Sequence, residues 1–315
     1  MPQRSGTRCL VSAQLFACVR FAQVPQNERG IHSGPDKAQV ARLFSATSTD
    51  HPGQALFTHH GQILVDWTGV GPGDEVLDVA AGTGASLLPA ARRVGPKGRV
   101  VGVDIAAGMV RQLSNAIAAQ RLANANAMLG DAEQLPFHEH SFDVVICAFG
   151  LFFFPHVDRA LLEFRRVLRP AGRLAIATFT KSGSNSIDRT WALIGRYIEV
   201  PPQAETPMRF DDFGRVREVL EHARFVDVEM REEPYVVVLP NADAWWQWIR
   251  AMEFREHVDR LPATVQQELR AAAMREFGQG PVEDRISFSM NALFARARSS
   301  TVSVAPAVVS TRDAP

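Results

Sequence analysis

The sequence has few of the features that mark several large classes of protein. Its three cysteines, Cys9, Cys18 and Cys147, are too few and too widely spaced for a disulfide framework or a zinc cluster. The 34 basic residues are balanced by 34 acidic ones, so the chain lacks the positive surplus with which nucleic-acid-binding proteins attract phosphates. No apolar run approaches the roughly 18 to 20 residues that cross a membrane. We therefore expect a soluble, cytoplasmic protein with no metal site, no nucleic-acid partner and no integral-membrane segment.

Apolar residues, in contrast, are plentiful, and the length suits one large domain. The 315 residues are 46% hydrophobic, which is enough for an extensive core. Residues 1–34, which carry several arginines but no acid before Glu28, are predicted to be a disordered tail, with a targeting segment as the alternative. Residues 299–315 are small and polar, which predicts a second tail. The single domain should therefore span residues 35–298.

Short β-rich runs alternate with segments of helical spacing through the middle of the chain. This alternation predicts an α/β fold with a parallel sheet that is doubly wound, with helices on both faces. The runs predicted to be strands cover residues 75–79, 99–103, 126–129, 142–147, 173–179, 225–230, 235–239 and 285–297.

Three further segments are added to this alternating core, residues 75–180. Residues 35–70 hold two predicted helices and should form an N-terminal helical cap. Residues 181–211 are polar and irregular, which predicts a loop. Residues 242–277 are predicted to be a helical insertion before the last strand, 285–297, whose alternating pattern is typical of an edge strand. We expect these additions, rather than a second core, to determine which substrate the domain accepts.

A glycine-containing turn follows the first predicted strand, in the segment Val76–Gly84 (VLDVAAGTG). Gly82 and Gly84 permit positive φ angles and a close approach of the backbone to a ligand. The dinucleotide-binding pattern G-x-G-x-x-G fails here, because Leu87 occupies the position of its third glycine. Asp78, at the end of the strand, would repel a pyrophosphate and would suit an ammonium group. The turn therefore speaks against a nicotinamide dinucleotide.

Acidic residues end three successive predicted strands, at Asp78, Asp104 and Asp131. One such carboxylate is often a helix cap, but three at successive strand ends indicate a binding site. Asp104 follows Gly84 by about 20 residues, the spacing at which an acidic side chain accepts hydrogen bonds from ribose hydroxyls. Asp131 would bind an exocyclic adenine amine. Together these residues predict a site for an adenosine with a cationic amino-acid tail.

Residues 75–180 resemble the class I S-adenosylmethionine-dependent methyltransferases, in the branch of ubiquinone/menaquinone-type and other small-molecule enzymes. The resemblance implies the Rossmann-like methyltransferase fold with a doubly wound, seven-stranded, mostly parallel sheet. It also implies S-adenosylmethionine as cofactor and a small-molecule acceptor methylated on oxygen, nitrogen or carbon. The motifs that carry it stand in the family's order: VLDVAAGTG (76–84), VVGVDIAAGMV (100–110), GDAEQLPF (130–137) and FDVVICAFGLFFFPHVDRALLEFRRVLRPAGRLAIATF (142–179).

The resemblance also implies which residues hold the donor. Asp78 and the backbone near Ala80, Gly82 and Gly84 would hold the methionine moiety, although the family often has glycine at the position of Ala80. Asp104 would bind the ribose. The remaining contacts would come from Ile105 and Met109 beside the adenine, from Asp131 and Ala132 at its edge, and from Ala148 and Phe149 next to the transferred methyl group.

The chemistry that the resemblance implies needs alignment and exclusion of water rather than a metal. His156, after the fourth strand, is the candidate catalytic residue, as a general base for a hydroxyl acceptor. The alternative is that His156 caps the helix that begins at Val157. His59 and His60, on the second N-terminal helix, either approach the substrate or lie on the surface.

Aromatic residues form two groups in the second half of the chain. Residues 149–154 (FGLFFF) are predicted to pack in the core and to form a wall of the active site. Trp245, Trp246 and Trp248 are predicted to pack the insertion onto the domain, with an aromatic lid that includes Trp191 as the alternative.

Two other functions are alternatives to a methyltransferase. One is an NAD(P)-dependent oxidoreductase, and the other is a non-catalytic scaffold protein that binds the donor.

Overall fold

A computed structural model describes residues 36–45, 54–198, 210–251, 254–278 and 285–300 of the chain. The predicted N-terminal tail lies outside the described residues, and so does the C-terminal tail beyond residue 300. Ser299 belongs to the last strand rather than to a tail, so this boundary was placed too early. The division of the chain into one domain and two tails stays a prediction.

The centre of the fold is a seven-stranded sheet with the order β3-β2-β1-β4-β5-β9-β6. Its last strand, β9, runs antiparallel to both of its neighbours, and the other strands run in one direction. The predicted fold class, a doubly wound and mostly parallel sheet, is confirmed. The strands of this sheet are β1 (Glu75–Val79), β2 (Arg99–Asp104), β3 (Ala125–Leu129), β4 (Phe142–Ala148), β5 (Leu168–Phe179), β6 (Phe225–Glu233) and β9 (Ala292–Ser299).

Helices cover both faces of the sheet. The helices are α1 (Lys37–Ser45), α2 (Gln54–Thr68), α3 (Leu87–Val94), α4 (Ala107–Ala119), α5 (Val157–Val167), α6 (Lys181–Ile194), α7 (Phe213–His222), α8 (Ala242–Arg250), α9 (Arg255–Val258) and α10 (Ala263–Phe277). Successive strand residues point to opposite faces, so Val76 joins the apolar cluster under α2, α3 and α4, whereas Leu77 joins the cluster under α5 and α7. Short 3-10 helices lie at Gly95–Lys97 and Leu151–Phe153.

The prediction of an irregular loop over residues 181–211 is wrong for its first half, which forms α6. The polar start of this segment resembles a loop, but its later residues carry a helical pattern. Ile187, Thr190 and Leu193 are buried at intervals of three residues. Burial of this one face stabilises a helix whose own composition does not favour one. Residues 199–209 lie outside the described part of the chain.

The prediction of one edge strand over residues 285–297 is also wrong. The segment forms β8 (Ile286–Ser289) and β9, separated by Met290 and Asn291. β9 inserts between β5 and β6, and its first four residues, from Ala292 to Ala295, are all buried. β6 occupies the edge instead. The alternation in the sequence comes from two short strands in different sheets.

The insertion before β9 has its own small architecture. β7 (Val236–Leu239) pairs with β8 in a separate two-stranded sheet, and α8, α9 and α10 lie between these strands in the chain. Trp248 contacts Phe288, and Phe277 contacts both Trp245 and Phe288. The predicted helical insertion is thus present, and aromatic packing holds it together. No helix in the described ranges is long and apolar enough to cross a membrane.

Candidate active site

A cavity of about 290 Å³ opens at the carboxyl ends of the parallel strands. The segments that follow β1, β2, β3 and β4 contribute to its wall, and so do α1 and the first residues of α2. In doubly wound sheets, ligands bind at this edge where the strand order reverses. Nine of the predicted donor-binding residues line the cavity: Ala80, Gly82, Asp104, Ile105, Met109, Asp131, Ala132, Ala148 and Phe149.

The turn after β1 depends on positive φ angles. Gly82 and Gly84 have φ angles of 53° and 94°, and Ala80 adopts 56° although it carries a side chain. A Cβ atom on Gly84 would lie 2.6 Å from Cδ1 of Leu113. Gly84 does not line the cavity. Glycine is favoured there because a φ angle of 94° is strained for any other residue, and a direct contact of Gly84 with the donor stays a prediction.

Asp104, at the end of β2, already anchors the turn after β1. Its Oδ2 accepts the Gly82 N–H at 2.8 Å, and its Oδ1 accepts the Ala106 N–H at 2.9 Å. Burial raises the pKa of Asp104, and these backbone donors partly oppose that rise. A carboxylate has about four lone-pair sites, so Asp104 can still accept hydrogen bonds from a diol. This donor set fits the ribose of an adenosine.

Asp78, at the end of β1, is 2% exposed and does not line the cavity. Burial raises the pKa of Asp78 to about 8; the Leu87 backbone N–H opposes this, and the charge of Asp104 adds to it. Its Oδ2 has no hydrogen-bond partner. Asp78 thus differs from Asp104 and Asp131, which both line the cavity. A contact of Asp78 with the methionine moiety stays a prediction.

Lys37 on α1 is a charged residue of the cavity wall that no sequence motif indicates. Its Nζ lies 2.7 Å from Asp131 Oδ2 and 2.7 Å from Glu133 Oε2. Glu133 Oε1 in turn accepts the backbone N–H of His156 at 2.8 Å. These contacts connect α1 to the turn after β3 and to the start of α5. Lys37 precedes Asp131 by 94 residues, so no local pattern joins them.

Phenylalanine rings form the wall near the ends of β4 and β5. Phe149 has a φ angle of 58°, a left-handed conformation that costs about 1–3 kcal/mol for a residue of this size. Its N–H donates to the Ala177 carbonyl at 2.8 Å, and its ring lies 5.3 Å from that of Phe57 and 4.7 Å from that of Phe179. Residues 152–154 also line the cavity. The predicted aromatic wall is therefore present.

None of the candidate histidines lines the cavity that the described residues form. His156 occupies the N-cap position of α5, but its side chain makes no capping hydrogen bond, and its backbone N–H donates to Glu133. His60 is fully buried, and burial lowers its pKa to about 4. His59 is exposed, with its ring 4.9 Å from that of Tyr235. The structure gives a catalytic role of His156 no geometric support.

The tryptophans pack within the insertion rather than over the cavity. Trp245, Trp246 and Trp248 are each at most 5% exposed, and Trp191 packs against Phe254 with a ring distance of 4.6 Å. The packing interpretation describes them better than the aromatic lid. The insertion and α6 reach the cavity through small aliphatic contacts instead, at Ala251 and Ile187.

α2 is pressed against the turn after β1. A Cβ atom on Gly61 would lie only 2.3 Å from the Ala85 carbonyl oxygen, so only glycine permits this approach. At the start of the helix, Gln54 Nε2 donates to Thr83 Oγ1 at 2.7 Å. The cap is thus part of the cavity wall rather than an independent appendage.

The cavity divides into two halves along the sheet order. The polar half comprises the turns after β1, β2 and β3 with α1. The aromatic half comprises the segments after β4 and β5, with Phe57 and Ile187. Among the described residues that line the cavity, the charged ones are Lys37, Asp104 and Asp131, and all belong to the polar half.

The fold is that of an α/β protein with a cavity at the carboxyl edge of its sheet, and the groups of the polar half suit an adenosine-containing ligand. A family of methyltransferase domains matches residues 76–172. The chain is 33% identical over 228 residues to nocamycin O-methyltransferase of Saccharothrix syringae, with 67% of this chain and 79% of that protein covered. It is 34% identical over 172 residues to the ubiquinone/menaquinone biosynthesis C-methyltransferase UbiE of Hahella chejuensis, with 54% and 69% covered.

The crystal structure of YcgJ from Bacillus subtilis has a similar fold, with a TM-score of 0.51 at 20% identity over 77% of this chain and 99% of that one. The chain belongs to the S-adenosylmethionine-dependent methyltransferases. It is an enzyme that uses S-adenosylmethionine as methyl donor. The predicted family, cofactor and activity are confirmed, and the oxidoreductase and scaffold alternatives are not favoured.

Proposed function

We propose that the polar half holds the methyl donor and the aromatic half holds the acceptor. Asp104 accepts hydrogen bonds from the ribose hydroxyls. The bound donor supplies a methyl group made electrophilic by its sulfonium. The other assignments are Ile105 and Met109 on the adenine face, Asp131 and Ala132 at its edge, the backbone at Ala80 and Gly82 beside the methionine moiety, Asp78 and Gly84 behind it, and Ala148 and Phe149 next to the methyl group.

The acceptor is a flat, apolar small molecule. The observation that carries this proposal is the composition of the aromatic half, where phenylalanine rings and Ile187 meet with no charged side chain among the described lining residues. A charged acceptor group buried there without a partner would cost several kcal/mol, at least about 2. Flat rings, in contrast, stack favourably on aromatic side chains. The two relatives are named as an O- and a C-methyltransferase of small molecules, which supports this class of acceptor.

In this proposal the acceptor loses its proton without the help of a general base from the enzyme. Since none of the candidate histidines lines the cavity, we infer that the acceptor carries a phenol or enol that ionises in water before transfer. Its oxygen or carbon then bonds to the methyl carbon while the carbon–sulfur bond breaks, and the sulfur leaves as a neutral thioether. The aromatic half holds the flat body of the acceptor in line, and the partner of its ionised oxygen or carbon is the sulfonium of the donor. Exclusion of water strengthens the attraction between these two charges.

Two measurements test the two parts of this proposal separately. Isothermal titration of the folded protein with S-adenosylhomocysteine should show one binding site per chain, and no binding would contradict the donor assignment. Incubation with methyl-labelled donor and two matched panels should then label phenols and cyclic enols but not primary amines of the same size. Transfer to the amines alone would contradict the acceptor assignment while leaving the donor site intact.

A further inference from the structure

Lys37 is a charged residue of the cavity wall for which the assignments above give no task. Its ammonium bridges two carboxylates of the turn after β3, with both distances at 2.7 Å. The two partners differ in their surroundings. The Asp131 side chain is 35% exposed and lines the cavity, whereas the Glu133 side chain is 4% exposed and does not. Lys37 thus connects a ligand-facing carboxylate to a buried one.

Both oxygens of Asp131 have a fixed donor. Oδ2 accepts from Lys37, and Oδ1 accepts the backbone N–H of Glu133 at 2.9 Å. The last torsion of an aspartate is soft, so an unheld carboxylate samples a broad range of orientations. Two donors on two oxygens restrict that range and leave one lone pair on each oxygen for a ligand.

Lys37 is itself held in place. Glu133 is fixed by the His156 N–H at one oxygen and presents the other to Lys37. Burial lowers the pKa of Lys37, but its bonds to Asp131 and Glu133 outweigh that effect and raise the pKa, so the ammonium stays charged. The arrangement is a chain of contacts from the start of α5 to the wall of the polar half.

We propose that Lys37 is a positioning residue for adenine recognition, which orients the Asp131 carboxylate so that it accepts a hydrogen bond from the 6-amino group of the donor. This inference rests on the donor site proposed above. If Lys37 only held α1 against the sheet, it would raise the affinity for every purine ligand equally. A positioning residue favours the amine-bearing base, because only that base donates to Asp131.

The test compares two ligands on two proteins by isothermal titration. The ligands are S-adenosylhomocysteine and its analogue without the 6-amino group, and the proteins are wild type and Lys37→Met. Wild type should bind the amine-bearing ligand about 10-fold tighter or more, the value of a hydrogen bond to a charged group. In Lys37→Met this preference should fall below about threefold, with the affinity for the analogue changed by less than about threefold. Lys37→Arg should restore most of the preference.

Control variants separate positioning from folding. Lys97→Met removes an exposed lysine from the Gly95–Lys97 helix and should leave the preference unchanged. Lys37→Met leaves the buried Glu133 without its cation and could therefore unfold. In that case the double variant Lys37→Met/Glu133→Gln removes the buried charge, and the two ligands are compared on this protein instead. An equal loss for both ligands, or an unchanged preference, overturns the positioning role. Equal binding of both ligands by wild type also overturns it, whereas binding of neither contradicts the donor site itself.

Discussion

The polar and aromatic halves of the cavity are built in different ways. The polar half consists of turns at the ends of neighbouring strands, where carboxylates and backbone groups bind each other, as Asp104 binds Gly82. The aromatic half gathers Phe57, Phe149, Phe179 and Ile187 from four separate parts of the chain. Under the proposed function, the donor is thus met by turns at the sheet edge. The acceptor is met by rings at the ends of β4 and β5 together with two added elements, α2 and α6.

The two halves meet where two turns touch. Ala80 in the turn after β1 and Phe149 in the turn after β4 both have positive φ angles. A Cβ atom on Gly150 would lie 2.5 Å from that of Ala80, so the two turns are in contact. We place the transferred methyl group beside this boundary, which is the position where both ligands can reach it.

The largest expected effect belongs to the polar half. Asp104→Ala should weaken binding of S-adenosylhomocysteine by about 1.5–3 kcal/mol, because the ribose loses a charged hydrogen-bond acceptor. Titration calorimetry measures it, with Asp158→Ala, an exposed acid on α5, as the control. If Asp104→Ala binds S-adenosylhomocysteine as tightly as wild type does, Asp104 does not bind the ribose.

The pH dependence of stability should report the buried acid behind the polar half. The folded-state pKa of Asp78, about 8, lies above its ordinary value near 4, so the folded protein holds the proton more tightly. Stability from Asp78 is therefore present at low pH and is lost as pH rises towards 8. His60, with its lowered pKa of about 4, acts in the opposite direction only below about 6.5.

Between pH 6.5 and 8 His60 no longer contributes, and the difference between wild type and Asp78→Asn isolates the effect of Asp78. One proton contributes at most about 1.4 kcal/mol per pH unit, so the free energy of unfolding should fall by at most about 2 kcal/mol over this interval. Denaturant titrations of the ligand-free protein measure this free energy. Over the same pH interval it should fall less in Asp78→Asn than in wild type. The same pH dependence in wild type and in Asp78→Asn over this interval would show that the carboxyl is already ionised at pH 6.5.

The aromatic half should respond to a different kind of change. Phe152→Ala should lower kcat/KM for the acceptor by about 5- to 30-fold, since truncation of a half-buried ring removes about 1–2 kcal/mol of apolar contact. The Kd for S-adenosylhomocysteine should change by less than about twofold. Phe213→Ala, at a partly exposed phenylalanine on α7 that does not line the cavity, is the matched control. A loss confined to donor affinity would reverse the assignment of the halves.

The smallest effect is expected at His156. His156→Ala keeps the backbone N–H that Glu133 accepts, and the side chain does not line the cavity. We expect kcat to change by less than about twofold, within the usual range for surface substitutions. Steady-state rates across pH 6 to 9 provide the measurement. A tenfold loss that removes an inflection from the pH profile would restore His156 as the general base.

The parts of the molecule that depend on local sequence could be predicted. The strand ends at Asp78, Asp104 and Asp131 lie where the motifs indicated, because a strand followed by a glycine turn and a helix is specified within a few residues. The fold class follows from the repetition of that unit. Most residues that line the polar half could therefore be predicted from the motifs. Asp78 and Gly84 are the exceptions, because neither lines the cavity.

The parts that depend on distant contacts could not be predicted. Lys37 meets Asp131 only after the cap has packed on the sheet, and β9 finds its place between β5 and β6 through pairings across the whole second half of the chain. α6 is a helix because the fold buries one of its faces, although its start is rich in serine and glycine. His156 was favoured because it follows a strand, a position from which a side chain can point into the cavity or away from it.

Under the proposed function, the described residues of the aromatic half supply the shape that holds the acceptor and no general base. The most direct test is the pH dependence of methyl transfer to two acceptors of the same shape whose hydroxyl pKa values differ by about two units, a difference that substituents on a phenol readily provide. We predict that the inflection of kcat/KM moves with the pKa of the acceptor. An inflection that stays at one pH for both acceptors would reveal a general base in the enzyme and would contradict the account.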